Sequence, residues 1–384
     1  MRTELKNNLD LAGLYIHIPF CKKACHYCNF HFSTSDKSRQ AVLKSICLEL
    51  EMRANELKSE PIKSIYLGGG TPSILTDDEL REIFKLIKAN YQVLPSVEIT
   101  LEANPDDLSL EKIKQLAVTP INRLSIGVQS FFDIDLKLMN RAHTAKEAQE
   151  SLKIAQTYFD NISIDLLYGV PEMSNVRWEE NLQIAFDLKT NHLSCYALTV
   201  EPKTALEHFI KTAQQPPLDD AVAAQHFQTL VTATAKAGFT HYEVCSFGKP
   251  GYFSKHNSSY WLGNSYLGIG PSAHSFDGQK RSWNVSNNKQ YTNAIAKNEL
   301  PLTSELLTPE NRFNEYIMTG LRTIWGISLK RIEEEFGLGV QKSLLKNAQA
   351  YLSSKTLKIE NAHLKMTPKG QFLSDGIASD LFIV

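Results

Sequence analysis

The sequence predicts an α/β fold: an incomplete (β/α)6-type barrel, open on one side, with a small, mostly helical C-terminal domain. Three observations predict it. Six short, β-rich apolar runs recur through the first two-thirds of the chain, with longer amphipathic stretches between them. The unusual residues cluster at the ends of those runs, where βα barrels carry their chemistry on the connecting loops. Beyond Gly238 the alternation gives way to a stretch rich in Gly, Ser, Asn and aromatics, and from Glu305 to a helical pattern.

Strands are expected at 14–19, 64–67, 97–101, 123–128, 162–167 and 192–198. The first helix is expected over 36–57, where Val42, Leu43, Ile46, Leu50 and Leu57 recur at helical spacing. The stretch 76–89 opens with Thr76 and has Glu79 three residues later, the pattern of a capping box. Helices are also expected over 145–158 and 176–188. The core is assigned to 1–240, an extension to 241–300 and the C-terminal domain to 301–384, with Pro301 to Ser304 as the junction. That last part shows Glu315, Tyr316, Met318 and Leu321 in one helical stretch, then a mixture of helix and short β-like pieces from 347. There is no internal repeat beyond the βα alternation.

Composition narrows the function classes. At 384 residues the chain is 42% apolar and 22% charged, as in a globular protein. Its 41 basic and 42 acidic residues leave a net charge of −1, which makes no electrostatic case for nucleic acid. Residues 1–10 are polar, with no apolar core of a signal peptide. No apolar run approaches the ~20 residues of a membrane helix. Six cysteines in this length are no disulfide scaffold, so the expected location is a reducing cytoplasm. Cys47, Cys195 and Cys245 lie in periodic apolar segments and read as buried small hydrophobes.

Cys21, Cys25 and Cys28 are different. Their C-x3-C-x2-C spacing directly follows the first strand. Three thiolates can hold three irons of a cubane cluster and leave the fourth open, whereas an electron-carrying cluster is normally closed by a fourth thiolate. A zinc site would need further ligands; His26 and His31 are near enough to keep it open on these residues alone. A disulfide would need an oxidising compartment. Gly68-Gly69-Gly70-Thr71-Pro72-Ser73 ends the second strand, Glu102-Ala103-Asn104-Pro105 the third and Gln129-Ser130 the fourth. Asp165 and Tyr168-Gly169-Val170-Pro171 end the fifth. The glycines alone would suit a tight turn.

Together these segments resemble the radical S-adenosylmethionine (SAM) superfamily. With Tyr15-x-His17 before Cys21, and Gly127-Val128-Gln129-Ser130-Phe131, they resemble its coproporphyrinogen dehydrogenase branch, which includes HemN enzymes and HemW heme chaperones. The resemblance implies a 4Fe–4S cluster on Cys21, Cys25 and Cys28, with SAM chelated at the open iron. In the family the cluster gives one electron to the sulfonium and an adenosyl radical is released. It further implies Tyr15 near the SAM methionine, Tyr27 beside the adenine, and Gly70 with Thr71 at the amino end. Glu102 would accept from the ribose hydroxyls. Gln129, Arg141 and Asp165 match positions that hold a second SAM in HemN. As unassisted readings, Asp165 is a strand-end cap and Arg141 a surface charge.

Two departures point to the HemW group. HemN has a further cysteine two residues past the third, where this chain has Phe30. His256-Asn257-Ser258-Ser259-Tyr260-Trp261 matches the H-N-x-x-Y-W motif of HemW. Imidazole is a common axial ligand of heme iron, so His256 is the expected ligand, with His274 of the Gly268–Ser275 loop competing. Without the resemblance His256 reads as a surface histidine. The implied function is heme chaperoning: heme carried and delivered to respiratory hemoproteins. The alternative is an oxygen-independent coproporphyrinogen III dehydrogenase, against which Phe30 argues.

Overall fold

The computed structural model describes residues 11–57 and 60–383; the polar stretch 1–10 read above lies outside them. The first half runs β1 (Ala12–Ile18), α1 (Arg39–Met52), β2 (Ile62–Gly69), α2 (Asp77–Asn90), β3 (Val93–Ala103), α3 (Leu110–Ala117), β4 (Arg123–Gln129), α4 (Asp133–Leu138), α5 (Ala145–Ala155), β5 (Ile162–Tyr168), α6 (Asn175–Asp187) and β6 (His192–Ala197). Then come α7 (Ala205–Lys211), α8 (Asp220–Lys236), β7 (Thr240–Glu243), β8 (Ser246–Gly248), α9 (Lys255–Trp261), β9 (Tyr266–Ile269), β10 (His274–Phe276), β11 (Lys280–Asn284), α10 (Asn288–Ile295) and β12 (Leu302–Leu306). The chain closes with α11 (Pro309–Leu321), β13 (Ile327–Ser328), α12 (Leu329–Phe336), α13 (Leu338–Asn347), α14 (Gln349–Ser353), β14 (Leu357–Glu360), β15 (His363–Met366) and α15 (Ser374–Asp380).

One sheet holds twelve of the strands, in the order β12-β11-β10-β9-β1-β2-β3-β4-β5-β6-β8-β7. Strands β1 to β6 are parallel in sequence order, and its two edges do not pair with each other, so the barrel is open. Strand β9 lies parallel beside β1, although almost the whole core separates them in sequence. The remaining strands add antiparallel on either side.

Side chains alternate across each strand. Leu14, Ile16, Ile18, Ile65, Leu67, Leu101, Leu124, Ile126, Ile164 and Leu166 are buried in one apolar core with the helices. The alternate residues Tyr15, His17, Tyr66, Thr100, Glu102, Arg123, Ser125 and Asp165 put polar groups on the concave face. The core extends to Tyr291 and Ile295. A second core, from Phe313 to Leu381, is built around a small sheet of order β13-β15-β14.

Several expectations shift. The helix expected over 36–57 is shorter: Asp36–Ser38 form a 3-10 turn, and the α-helix ends at Met52, with Arg53 as its C-cap and a turn following to residue 57. The capping box is present, with Thr76 and Glu79 exchanging hydrogen bonds. Residues 302–304, read as a junction, form part of strand β12. Cys195 is buried, but Cys47 and Cys245 are only half-buried, and the Cys245 Sγ accepts from Arg322 at 3.7 Å.

Candidate cluster loop and adjoining cavity

The cysteine loop leaves β1 at the C-terminal end of the sheet and is pinned from several sides. The Cys21 amide donates to the Ser33 carbonyl at 3.0 Å, and the Cys28 amide to the Cys25 carbonyl at 3.3 Å. His26 donates its amide to Met139 O and pairs its ring with Leu138 O, while Asn140 donates to Ala24 O. Backbone groups of a loop are thereby satisfied within the protein, which fixes where the sulfurs stand.

Two of the three sulfurs are met by donors. Thr71 Oγ1 donates to Cys21 Sγ at 3.4 Å, and Arg141 Nη1 to Cys25 Sγ at 3.2 Å. Arg141 Nη2 also donates to Asn104 Oδ1 at 2.6 Å and to Gly127 O at 2.7 Å, and Asn104 Nδ2 donates to Thr71 Oγ1 at 3.2 Å. Loops after β1, β2, β3 and β4 therefore meet in one network around the thiols. The Arg141 Nε is buried with no partner among the described residues. A Cβ on Gly127 would come within 2.9 Å of Gln129 Nε2 and 3.2 Å of Arg141 Nη2, so that glycine keeps the arginine's seat clear. Burial pushes the Cys21 thiol up to about 11 and raises Cys28 as well. Iron bound there would deprotonate them outright. Hydrogen bonds to the sulfurs and an orphaned guanidinium nitrogen fit a thiolate-ligated cluster with an anionic guest beside it.

The glycine run has three separate local reasons. A Cβ on Gly68 would reach the Tyr66 ring at 2.8 Å, Gly69 has φ +110 and faces the His17 ring, and a Cβ on Gly70 would meet Phe20 O at 2.6 Å. Gly70 thus lets β2 pack against the start of the cysteine loop. Glu102 accepts from Tyr66 OH at 2.8 Å and from the Gly69 amide at 3.1 Å. Burial raises its carboxyl to about 7, with Asp165 adding and the Tyr66 and Gly69 donors opposing. Asp165 is raised to about 6 by burial, against donors from Ser194 and Ser125 and the charges of Arg123 and Arg141. Gln129 ends β4 in a left-handed conformation, φ 66, that turns the chain at the mouth of the sheet. Tyr27 packs on the core, and burial raises its hydroxyl, with Cys25 and Cys28 adding and Arg141 opposing.

His256 stands elsewhere. It sits on α9 under the N-terminal ends of the strands, 1% exposed, with Nδ1 paired to Ser64 Oγ at 2.9 Å and Nε2 to Tyr260 OH at 2.8 Å. Its ring stacks on Tyr66 at 4.9 Å, and burial, with Arg123 and Lys63, lowers it to about 3, so it stays neutral. Both nitrogens are engaged, so the expected iron ligand has no lone pair free in this structure. Its motif partners Tyr260 and Trp261 do reach a cavity of about 770 Å3, of the size small-molecule sites occupy. Tyr15, His17, Phe30 and His31 form one wall of it, beside the cysteine loop. Tyr266, His274, Phe276 and Arg281 form another, and residues of α11 and α12 face them.

The sequence matches the Radical SAM superfamily over residues 15–185 and the HemN C-terminal domain over 307–373. It is 34% identical over 348 residues to the heme chaperone HemW of Bacillus subtilis, covering 88% of this chain and 91% of that one. It is 31% identical to HemW of Lactococcus lactis over 94% of this chain and 95% of the relative. The chain belongs to the HemW group of the radical SAM superfamily. In fold it is similar to the solved coproporphyrinogen III oxidase HemN of Escherichia coli, with a TM-score of 0.85 at 22% identity, over 100% of this chain and 93% of that one.

Membership in the radical SAM superfamily implies a 4Fe–4S cluster and SAM. Among the SAM-site residues expected from sequence, Thr71 and Arg141 stand with the cysteines, and Tyr15 borders the cavity. Glu102 and Asp165 share the concave face. Two features went unread. Asn104, quoted only as part of the motif ending β3, links Thr71 to Arg141. The cavity had no sequence signal, because β1, β9–β11 and the C-terminal helices meet only in three dimensions. No helix of the described residues is long and apolar enough to cross a membrane.

Proposed function

We propose that this protein binds heme as cargo and passes it to hemoproteins of the respiratory chain, working in the cytoplasm. A 4Fe–4S cluster on Cys21, Cys25 and Cys28 would offer an open iron to the amino-acid end of SAM. Thr71 and Arg141 hydrogen-bond the sulfurs, and the buried Arg141 Nε remains to face an anion. Tyr15, Tyr27, Gly70, Glu102, Gln129 and Asp165 line or support the SAM site in this reading. His256 holds Tyr260 in place through its Nε2.

The observation that carries the reading is the cavity beside the cysteine loop. Phe30, the residue in place of the additional cysteine, is 70% exposed on its wall. Its ring leaves apolar area in water that a guest in the cavity would cover. Aromatic, histidine and arginine side chains around one hollow suit a planar apolar ring with a metal at its centre and carboxylates at one edge. The test is heme titration of the anaerobically reconstituted protein, read at the Soret band, followed by mixing with a b-type apo-hemoprotein. Saturable binding and transfer are expected. No heme binding, together with turnover of coproporphyrinogen III, would overturn the proposal.

A further inference from the structure

We propose that the floor of the open barrel holds a small monovalent anion, chloride, between the Arg123 guanidinium and the Thr100 hydroxyl. The site lies at the opposite end of the strands from the cysteine loop, and it does not depend on the heme-chaperone reading.

Arg123 opens β4, and Thr100 lies beside it in register on β3. Arg123 is 1% exposed and Thr100 fully buried. A guanidinium does not shed its proton, so Arg123 stays charged, and a buried charge left unpaired is strongly unfavourable. The other fully buried arginine, Arg53, pairs with Glu49 at 3.2 Å and Glu56 at 2.7 Å. Arg123 forms no such pair among the described residues, and its Nε and the Thr100 Oγ1 have no hydrogen-bond partner there.

The groups around it are engaged elsewhere. His192 pairs Nδ1 with Ser163 Oγ and Nε2 with Tyr242 OH, both at 2.7 Å, and both nitrogens of His256 are taken as described above. Glu98 Oε1 accepts from the His256 amide at 3.1 Å, and Asp165 Oδ1 from Ser125 at 3.3 Å. A carboxylate in contact with a guanidinium is driven well below its ordinary range. Asp165 instead stays raised to about 6 by burial, so Arg123 acts on it across a gap.

The chemistry of the gap selects its occupant. The inward positions beside Arg123, Ser125 on β4 and Ser163 on β5, are buried and carry short hydroxyl side chains. The guanidinium brings N–H donors and no acceptor, and Thr100 adds an O–H. Water would satisfy the donors but leave the charge unanswered. A divalent oxyanion would bring excess negative charge beside Glu98 and Asp165, and a metal cation would be repelled by the arginine. One unanswered positive charge, ringed by donors, fits a compact ion of single negative charge that only accepts.

The test has two arms on the full-length, anaerobically reconstituted protein. Crystals grown with sodium bromide are mapped by bromine anomalous scattering, and thermal unfolding is followed as chloride replaces gluconate at constant ionic strength. An anomalous peak touching Arg123 and Thr100 is expected, with a melting midpoint that rises as chloride is added. Thr100→Val is expected to raise the chloride needed for a given rise several-fold, and Arg123→Met to abolish both the rise and the peak. A merely structural role for either residue would move the baseline midpoint and leave its chloride dependence unchanged. Should Arg123→Met fail to fold, the wild-type bromide map and Thr100→Val decide. Water alone in the bromide map, a wild-type midpoint indifferent to chloride, or a wild-type chloride response in Arg123→Met or Thr100→Val overturns the assignment.

Discussion

Glu102 is held between the Tyr66 hydroxyl and the Gly69 amide, and burial sets its carboxyl at about 7. An acid whose value is higher folded than unfolded stabilises the fold fully below its unfolded value, near 4.5, and that stabilisation is lost as pH rises through about 7. The cluster-free protein is therefore expected to lose stability from pH 4.5 to 7, by up to roughly 3 kcal/mol from this residue. Glu102→Gln should flatten that part of the profile in urea unfolding series. An unchanged slope would show that the carboxyl is solvated. Legibility at this scale divides by locality. The cysteines, the glycine run and Glu102 announce themselves because each belongs to a short segment ending one strand. His256 stands out as a member of the H-N-x-x-Y-W motif, but its burial does not, because Lys255-His256-Asn257 by itself reads as a polar surface. Only the stacking of its ring on Tyr66, on a strand far away in sequence, makes it a buried strut.

At the scale of elements, α1 is the brace for the His274 hairpin. Glu49 is fully buried and accepts from Arg53, the Gly270 amide, Asn284 and Tyr291. Glu49→Ala removes all four acceptor contacts and leaves Arg53 with a weaker counter-charge. A loss of about 3–5 kcal/mol in denaturant unfolding is expected, as for other broken buried pairs. Glu49→Gln should recover part of it by keeping an acceptor for Tyr291 or Asn284. The six core strands were legible as compact β-rich runs. Helix α8 was not, because its buried residues His226, Phe227, Leu230 and Thr234 are polar as often as apolar and give no clean stripe. Strand β9 was legible only as a glycine-rich loop, since its strand character depends on pairing with β1.

At the scale of the molecule, two separately cored bodies meet around Arg322. Its guanidinium pairs with buried Glu243 at 2.9 Å and with Asp375 at 2.6 Å, and lies 5.0 Å over the Trp261 ring. Glu243 also forms a backbone bridge to Thr323. Arg322→Ala strands the Glu243 carboxylate, so calorimetry is expected to show the second body melting earlier, as a separate step, with altered Trp261 fluorescence. A single transition at the wild-type temperature would show that the latch contributes nothing. The incomplete barrel was legible from the six βα units, while the meeting of the two bodies was not, since Arg322 and Glu243 carry no local pattern. The cavity takes one wall from each body: the cysteine loop and the β9–β11 hairpins from the first, α11 and α12 from the second. A guest seated there would touch both cores at once. Binding would therefore tie the two cores together, so a saturating guest is expected to raise the melting of the second body along with that of the first.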